Sequence, residues 1–142
     1  MTYFGEGAAS EGDFHAGMNF AATLNSQKLF FCRNNKYAIS TAVNDQFKGD
    51  GIASRAIGYG MNSIRVDGND ALAVYYVTKQ AREYSIKNGV PILIEAMSFR
   101  GGDYSTSDAS KAYRDDNTMK NWEEYLTDLG DPFGRLGTFL LQ

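Results

Sequence analysis

The sequence has 142 residues, of which 43% are hydrophobic, 13% aromatic and 22% charged, with a formal net charge of −3. That length suits one domain with a sizeable core, the aromatic content argues against a disordered chain, and the acidic balance offers no footprint for nucleic acid. No apolar run approaches the length that spans a bilayer, and the single cysteine, Cys32, cannot make an internal disulfide.

Thr2 to Phe4 reads as a strand stub running into a glycine-flanked acid, Gly5-Glu6-Gly7. Gly12 to Leu24 follows, with Phe14, Met18, Ala21 and Ala22 near helical spacing, and Lys28 to Cys32 is a short buried strand with Cys32 as a core thiol. The polar, turn-rich stretch from Arg33 to Gly51 is long enough to predict a functional loop. Ile64 to Val66 is a strand that leaves through an Asp-Gly turn. Asp70 to Lys87 is the clearest helix: Asp70 can cap it, Leu72, Tyr75, Tyr76, Lys79 and Ala81 to Ile86 form its stripe, and Asn88-Gly89 closes it. Val90 to Phe99 is a near-continuous apolar run, as expected of a parallel strand covered on both faces. Arg100 to Asp116 has little hydrophobic periodicity and reads as a loop. One helix is expected from about Asn117 to Leu126 and another after Asp131-Pro132. Strand and helix alternate, so residues 1–142 are read as a single α/β domain, a parallel sheet flanked by helices.

The chemistry concentrates at the strand exits. A carboxylate between two glycines, ahead of a helix N-terminus, sets a charged oxygen beside exposed backbone N–H groups, which is a place for a metal and a phosphate. A second Gly-acid-Gly, Gly49-Asp50-Gly51, occurs later, but only the first is followed by an amide pair, Asn34-Asn35, at the exit of the next strand. Mg²⁺ wants oxygen ligands and shares them with phosphate, so Glu6, an Asn amide oxygen and a nearby loop carbonyl form a suitable set. A dinucleotide fingerprint fails, because Ser10 stands where its last glycine is required. The lone histidine, His15, reads as a helix-surface or interface residue.

The words "GEGAASEGDFHAGMNFAATL", "FFCRNNKYAIST" and "LIEAMSFRGGDYSTSDASKAYR" surround this pattern. With them the chain resembles the E1 alpha subunits of branched-chain 2-oxo acid dehydrogenases, a thiamine diphosphate-dependent family, from Tyr3 to about Leu141. The resemblance implies a thiamine diphosphate-binding fold and a part in oxidative decarboxylation of a small 2-oxo acid, with acyl transfer to a lipoyl carrier. It implies that Glu6, Asn35 and the Tyr37 carbonyl coordinate Mg²⁺, that Gly7 and Ala8 let the diphosphate approach the backbone, and that Arg33 neutralises it. Asn34 is expected to brace the loop, and Lys36 stands where the family usually has glycine. No catalytic residue is assigned here, since the activating Glu belongs to the family's beta chain.

The resemblance also implies partners: an E1 beta subunit in a heterotetramer of two alpha and two beta chains, a lipoyl-bearing E2 core, and a regulatory kinase acting on Ser105 in the loop at 100–116. The implied location is the mitochondrial matrix in a eukaryote or the cytoplasm in a bacterium, with no targeting segment ahead of the glycine turn. Asp103-Tyr104 replaces two adjacent family histidines, and Asp115 stands at the family's second modified serine. The family carries a substantial part before the glycine turn, so the chain is expected to be N-terminally truncated relative to it. The alternative reading is a catalytically inactive remnant that binds the beta subunit or the kinase.

Overall fold

The expected parallel sheet forms, and its register brings the candidate residues together. The structure is a computed structural model and describes residues 1–125 and 130–142. In chain order its elements are β1 (Thr2–Gly5), α1 (Gly12–Thr23), β2 (Leu29–Asn34), the two-residue strands β3 (Tyr37–Ala38) and β4 (Thr41–Ala42), and a one-turn helix α2 (Val43–Gln46). A 3-10 helix over Ala53–Tyr59, β5 (Asn62–Asp67), α3 (Ala71–Asn88), β6 (Ile92–Met97), α4 (Asp116–Tyr125) and α5 (Pro132–Leu140) follow. Leu126, the expected end of α4, lies outside the described residues.

Four strands pair in the order β1-β2-β6-β5, every neighbour parallel. β2 runs on beyond the predicted Cys32 to Asn34, because its ladder with β6 continues to the pair Asn34 and Met97. Side chains alternate between faces. Phe4, Phe30, Cys32 and Leu93 meet Met18 of α1 and Ala56 of the 3-10 helix on one face, while Phe31, Ile64, Val66, Ile92 and Ile94 meet α3 on the other. The central strand β6 is therefore buried on both sides, as its apolar run predicts.

The stripe predicted on α3 is corrected. Leu72, Tyr75, Tyr76 and Ile86 are exposed; within the predicted stripe Ala81 and Ser85 are buried, and Ala73, Val74 and Val77, outside it, join Ala81 on the sheet. These residues share one face at helical spacing, and their small or β-branched side chains let the helix approach a sheet surface already filled by Ile and Val. The predicted ends of α3 hold: the Asp70 carboxylate accepts from the N–H groups of Leu72 and Ala73, and Gly89 takes φ +69°. Asp131 likewise caps α5 through the Gly134 N–H. Arg135 ties α5 back to the β5 exit through Asp67 at 3.0 Å and Asp70 at 2.9 Å. Among the described residues no helix is long and apolar enough to cross a membrane.

Candidate functional site

Register places the site. Gly5, Arg33 and Ala96 lie side by side on β1, β2 and β6, so Glu6 leaves β1 at the level where β2 is about to release Asn35. Glu6 meets the main chain of Asn35: the Asn35 backbone N–H donates to Glu6 Oε2 at 3.1 Å, while the Asn35 side-chain oxygen turns to the Tyr37 N–H. Glu6 is only 1% exposed, and its second oxygen, Oε1, is buried with no hydrogen-bond partner. Burial pushes the Glu6 carboxyl above its ordinary range, and backbone N–H groups, including those of Asn35 and Tyr37, together with the Arg100 charge pull only part of the way back.

The segment after β2 is built from side-chain to backbone hydrogen bonds. The Lys36 N–H donates to Asn34 Oδ1 at 3.0 Å, and the Tyr37 N–H donates to Asn35 Oδ1 at 3.2 Å. Between them Lys36 sits at φ +71°, the left-handed region that favours glycine. Asn34 is thus the brace the sequence predicts. Tyr37 then opens the β3–β4 hairpin. Gly7 packs against that hairpin, since a Cβ there would fall 2.8 Å from the Ala38 Cβ. Ala8 is exposed and begins a one-turn segment whose Ala9 is buried in the core. The Arg33 side chain is exposed, with Nε donating to Ser98 Oγ at 3.2 Å.

Sequence reasoning passed over Glu95. It lies in the middle of β6, 0% exposed, and takes four donors: Asn34 Nδ2 at 2.7 Å and the Ile52 N–H at 2.9 Å on Oε1, with the Ala53 N–H at 2.9 Å and Arg65 Nε at 3.0 Å on Oε2. Burial pushes its carboxyl up, but these donors together outweigh it and hold the group below its ordinary range. The available signal was a lone acid inside an apolar strand. The second Gly-acid-Gly serves this cluster: Asp50 pairs with Arg65 at 3.0 Å, and Gly51, at φ +69°, lies against both Arg65 and Glu95.

The loop after β6 closes over the site. Arg100 donates to the Ile39 carbonyl at 2.8 Å and to the Tyr113 hydroxyl at 2.6 Å, and Arg114 is buried between the rings of Tyr37 and Phe99, 4.9 and 5.1 Å from their centroids. Asp108 accepts from the Tyr104 N–H and the Tyr113 hydroxyl, both at 2.7 Å, and Asp103 accepts from the Ser110 N–H at 2.8 Å. Tyr104 and Ser105 are exposed, with Ser105 Oγ 3.2 Å from Ser107 Oγ. His15, on exposed α1 surface, meets the Tyr59 hydroxyl and takes no part in the site.

An orphaned carboxylate oxygen on Glu6, and the Asn35 amide oxygen that accepts the Tyr37 N–H, are hard donors on adjoining strand exits, a chemistry that fits Mg²⁺. Among the described residues no cluster of three or more His, Cys, Asp or Glu side chains is arranged for a metal. A cation here would therefore take ligands of other kinds, as Mg²⁺ does when it shares phosphate oxygens.

Residues 1–140 match the family described as dehydrogenase E1 component. The chain is 61% identical over 141 residues to the mitochondrial 2-oxoisovalerate dehydrogenase subunit alpha of Dictyostelium discoideum and 56% identical over 141 residues to that of Homo sapiens, in each case covering 99% of this chain and 31% of the relative. Against subunit alpha 2 of Arabidopsis thaliana the identity is 48% over 140 residues, covering 99% of this chain and 29% of that protein. The chain thus spans about a third of the length of these curated relatives. Among solved structures, a transketolase variant from Pichia stipitis superposes with a TM-score of 0.57 at 22% identity over 67% of this chain and 14% of that one, a likeness of fold.

Proposed function

The chain belongs to the dehydrogenase E1 component family, and on that premise we propose that it forms the metal and diphosphate end of a thiamine diphosphate-dependent branched-chain 2-oxo acid dehydrogenase. The observation that carries the reading is the buried Glu6 carboxylate with Oε1 unpartnered beside the Asn35 backbone. Glu6, Asn35 and the Tyr37 carbonyl would hold Mg²⁺. Gly7 and Ala8 would give the diphosphate access to backbone N–H groups, and the exposed Arg33 guanidinium would supply charge-assisted hydrogen bonds. When bound, the cofactor supplies the nucleophilic carbon for decarboxylating a 2-oxo acid. This chain's own residues bind, orient and neutralise: the buried Glu6 carboxylate would offer its unpartnered Oε1 to the cation, while Lys36 and the hairpin hold the segment that carries the Tyr37 carbonyl.

In this reading the working unit is the alpha chain with a beta subunit, serving a lipoyl-bearing core in the mitochondrial matrix, and Ser105 in the loop at 100–116 is the site of a regulatory kinase. Calorimetry with Mg²⁺ and thiamine diphosphate on the alpha–beta assembly tests it. Saturable magnesium-dependent binding that Glu6→Gln abolishes is expected; binding unaffected by Glu6→Gln refutes the assignment. A second reading, a non-catalytic chain that binds the beta subunit or the kinase, is favoured by the exposed Tyr104, a phenol where the family has imidazole. Decarboxylation without acyl transfer, restored by Tyr104→His, separates an impaired enzyme from an inert one.

A further inference from the structure

Two fully buried polar side chains, Glu95 and Asn34, sit where the proposed metal ligands do not reach, and together they control those ligands. The Glu95 carboxylate receives four donors, so it has no lone-pair position left for water or a proton. One of the four is the Asn34 amide nitrogen, at 2.7 Å. A primary amide with its nitrogen committed in one direction has its oxygen committed in the other. That oxygen accepts the Lys36 N–H at 3.0 Å. Lys36 is the residue at φ +71°, between Asn35, whose N–H meets Glu6, and Tyr37, whose N–H meets the Asn35 side chain.

We infer that Glu95 is a positioning residue for the segment 35–37, acting through Asn34, whose amide polarity it sets and so holds the backbone in the strained conformation that aims Asn35 and Tyr37 at Glu6. The inference rests on the proposed function only for what those residues are aimed at; the relay itself is a property of the hydrogen bonds. Outer partners of metal ligands typically change metal affinity by about 10–100-fold when they are removed. Arg65 and the N–H groups of Ile52 and Ala53 complete the carboxylate from the far side, so the relay is anchored in both β5 and the 3-10 helix.

The test reverses one hydrogen bond. Asn34→Asp keeps an acceptor for Lys36 but sets a second carboxylate against Glu95, so the amide exchange of Lys36 and Tyr37 should accelerate by about tenfold or more while exchange in the strand interiors of β2 and β6 stays unchanged. Glu95→Gln offers residue 34 an amide donor but sets it against the Ile52 N–H that shares Oε1, so the double variant Asn34→Asp with Glu95→Gln should return exchange at Lys36 and Tyr37 part of the way towards the parent rate. Ser85→Ala is the control for general destabilisation: its buried hydroxyl bonds the Val90 carbonyl at the far end of the sheet, so it should lower the melting temperature with no effect at 35–37. In the assembled full-length protein, Mg²⁺ titrated with thiamine diphosphate should bind about 10–100-fold more weakly to Asn34→Asp, with recovery in the double variant. A double variant no better than Asn34→Asp in exchange overturns the relay, as does equal acceleration in Ser85→Ala. Absence of Mg²⁺ binding by the parent protein would instead overturn the proposed function, with the exchange comparison still deciding the relay.

Discussion

Lys36 offers a measurable test of how the loop is held. An L-residue in the left-handed region costs about 1–2 kcal/mol relative to the right-handed one, and Lys36 lies there at φ +71°. Its Nζ stands 5.9 Å from the Trp122 ring centroid. Replacement by glycine alone mixes strain relief with loss of that contact, so the informative comparison is Lys36→Gly against Lys36→Ala. Both lose the ammonium, both keep the backbone N–H that bonds Asn34, and only alanine retains the strain. Glycine gives back about 0.4–1 kcal/mol through the greater freedom of the unfolded chain, leaving Lys36→Gly about 1 kcal/mol more stable than Lys36→Ala. For a domain of this length that is a difference in Tm of about 3–5 °C, read by thermal denaturation followed by circular dichroism. Equal melting temperatures, or alanine melting higher, would refute the claim that this backbone position is strained.

Gly51→Ala should destabilise by about 2–4 kcal/mol in urea denaturation, because its Cβ would lie 2.4 Å from Arg65 Nη2 and 2.7 Å from Glu95 Oε1 at φ +69°; Gly49→Ala, whose Cβ meets open space, should stay within about 0.5 kcal/mol. In the absence of metal, the raised folded-state pKa of Glu6 gives a contribution to stability that is full below the ordinary carboxylate value of 4.5 and is lost as pH rises through the folded value. Glu6→Gln should flatten that decline in a stability–pH profile, and an unchanged slope would count against burial as the cause. Ser105→Ala removes only an exposed hydroxyl whose contact is Ser107 Oγ at 3.2 Å, so its melting should match the parent while kinase treatment no longer inactivates the assembly; undiminished inactivation removes Ser105 as the site.

The four strands of the parallel sheet were legible because each has a local signal, an apolar run and an alternation of element types; the short β3–β4 hairpin carried no such signal and was read as loop. The α3 face was not legible. A stripe of Leu and Tyr looks like a core face by hydrophobicity, and only the filled Ile-Val surface opposite explains why Ala73, Val74 and Val77 turn inward beside the predicted Ala81. Glu95 was also missed, because its partners come from β2, β5 and the 3-10 helix, and register between strands distant in sequence cannot be read along the chain. Lys36 was readable as a residue in an unusual place, and its positive φ is the physical content of that oddity.

Glu6 and Glu95 are both essentially inaccessible carboxylates, yet their surroundings drive them in opposite directions. Glu95, with donors at every position, is stable as an anion; it contributes to folding above the ordinary carboxylate value and loses that contribution as pH falls through its depressed one. Glu6 has the Asn35 N–H on one oxygen and an unpartnered Oε1, so burial outweighs its backbone donors and the Arg100 charge and pushes its carboxyl above the ordinary range. The fold therefore spends its buried donors on Glu95 and leaves Glu6 Oε1 without one. On the proposed function, that oxygen is the position a cation would fill, so a variant that adds a donor to Glu6 should stabilise the metal-free chain and weaken Mg²⁺ binding, read by thermal denaturation and by Mg²⁺ calorimetry on the same variant.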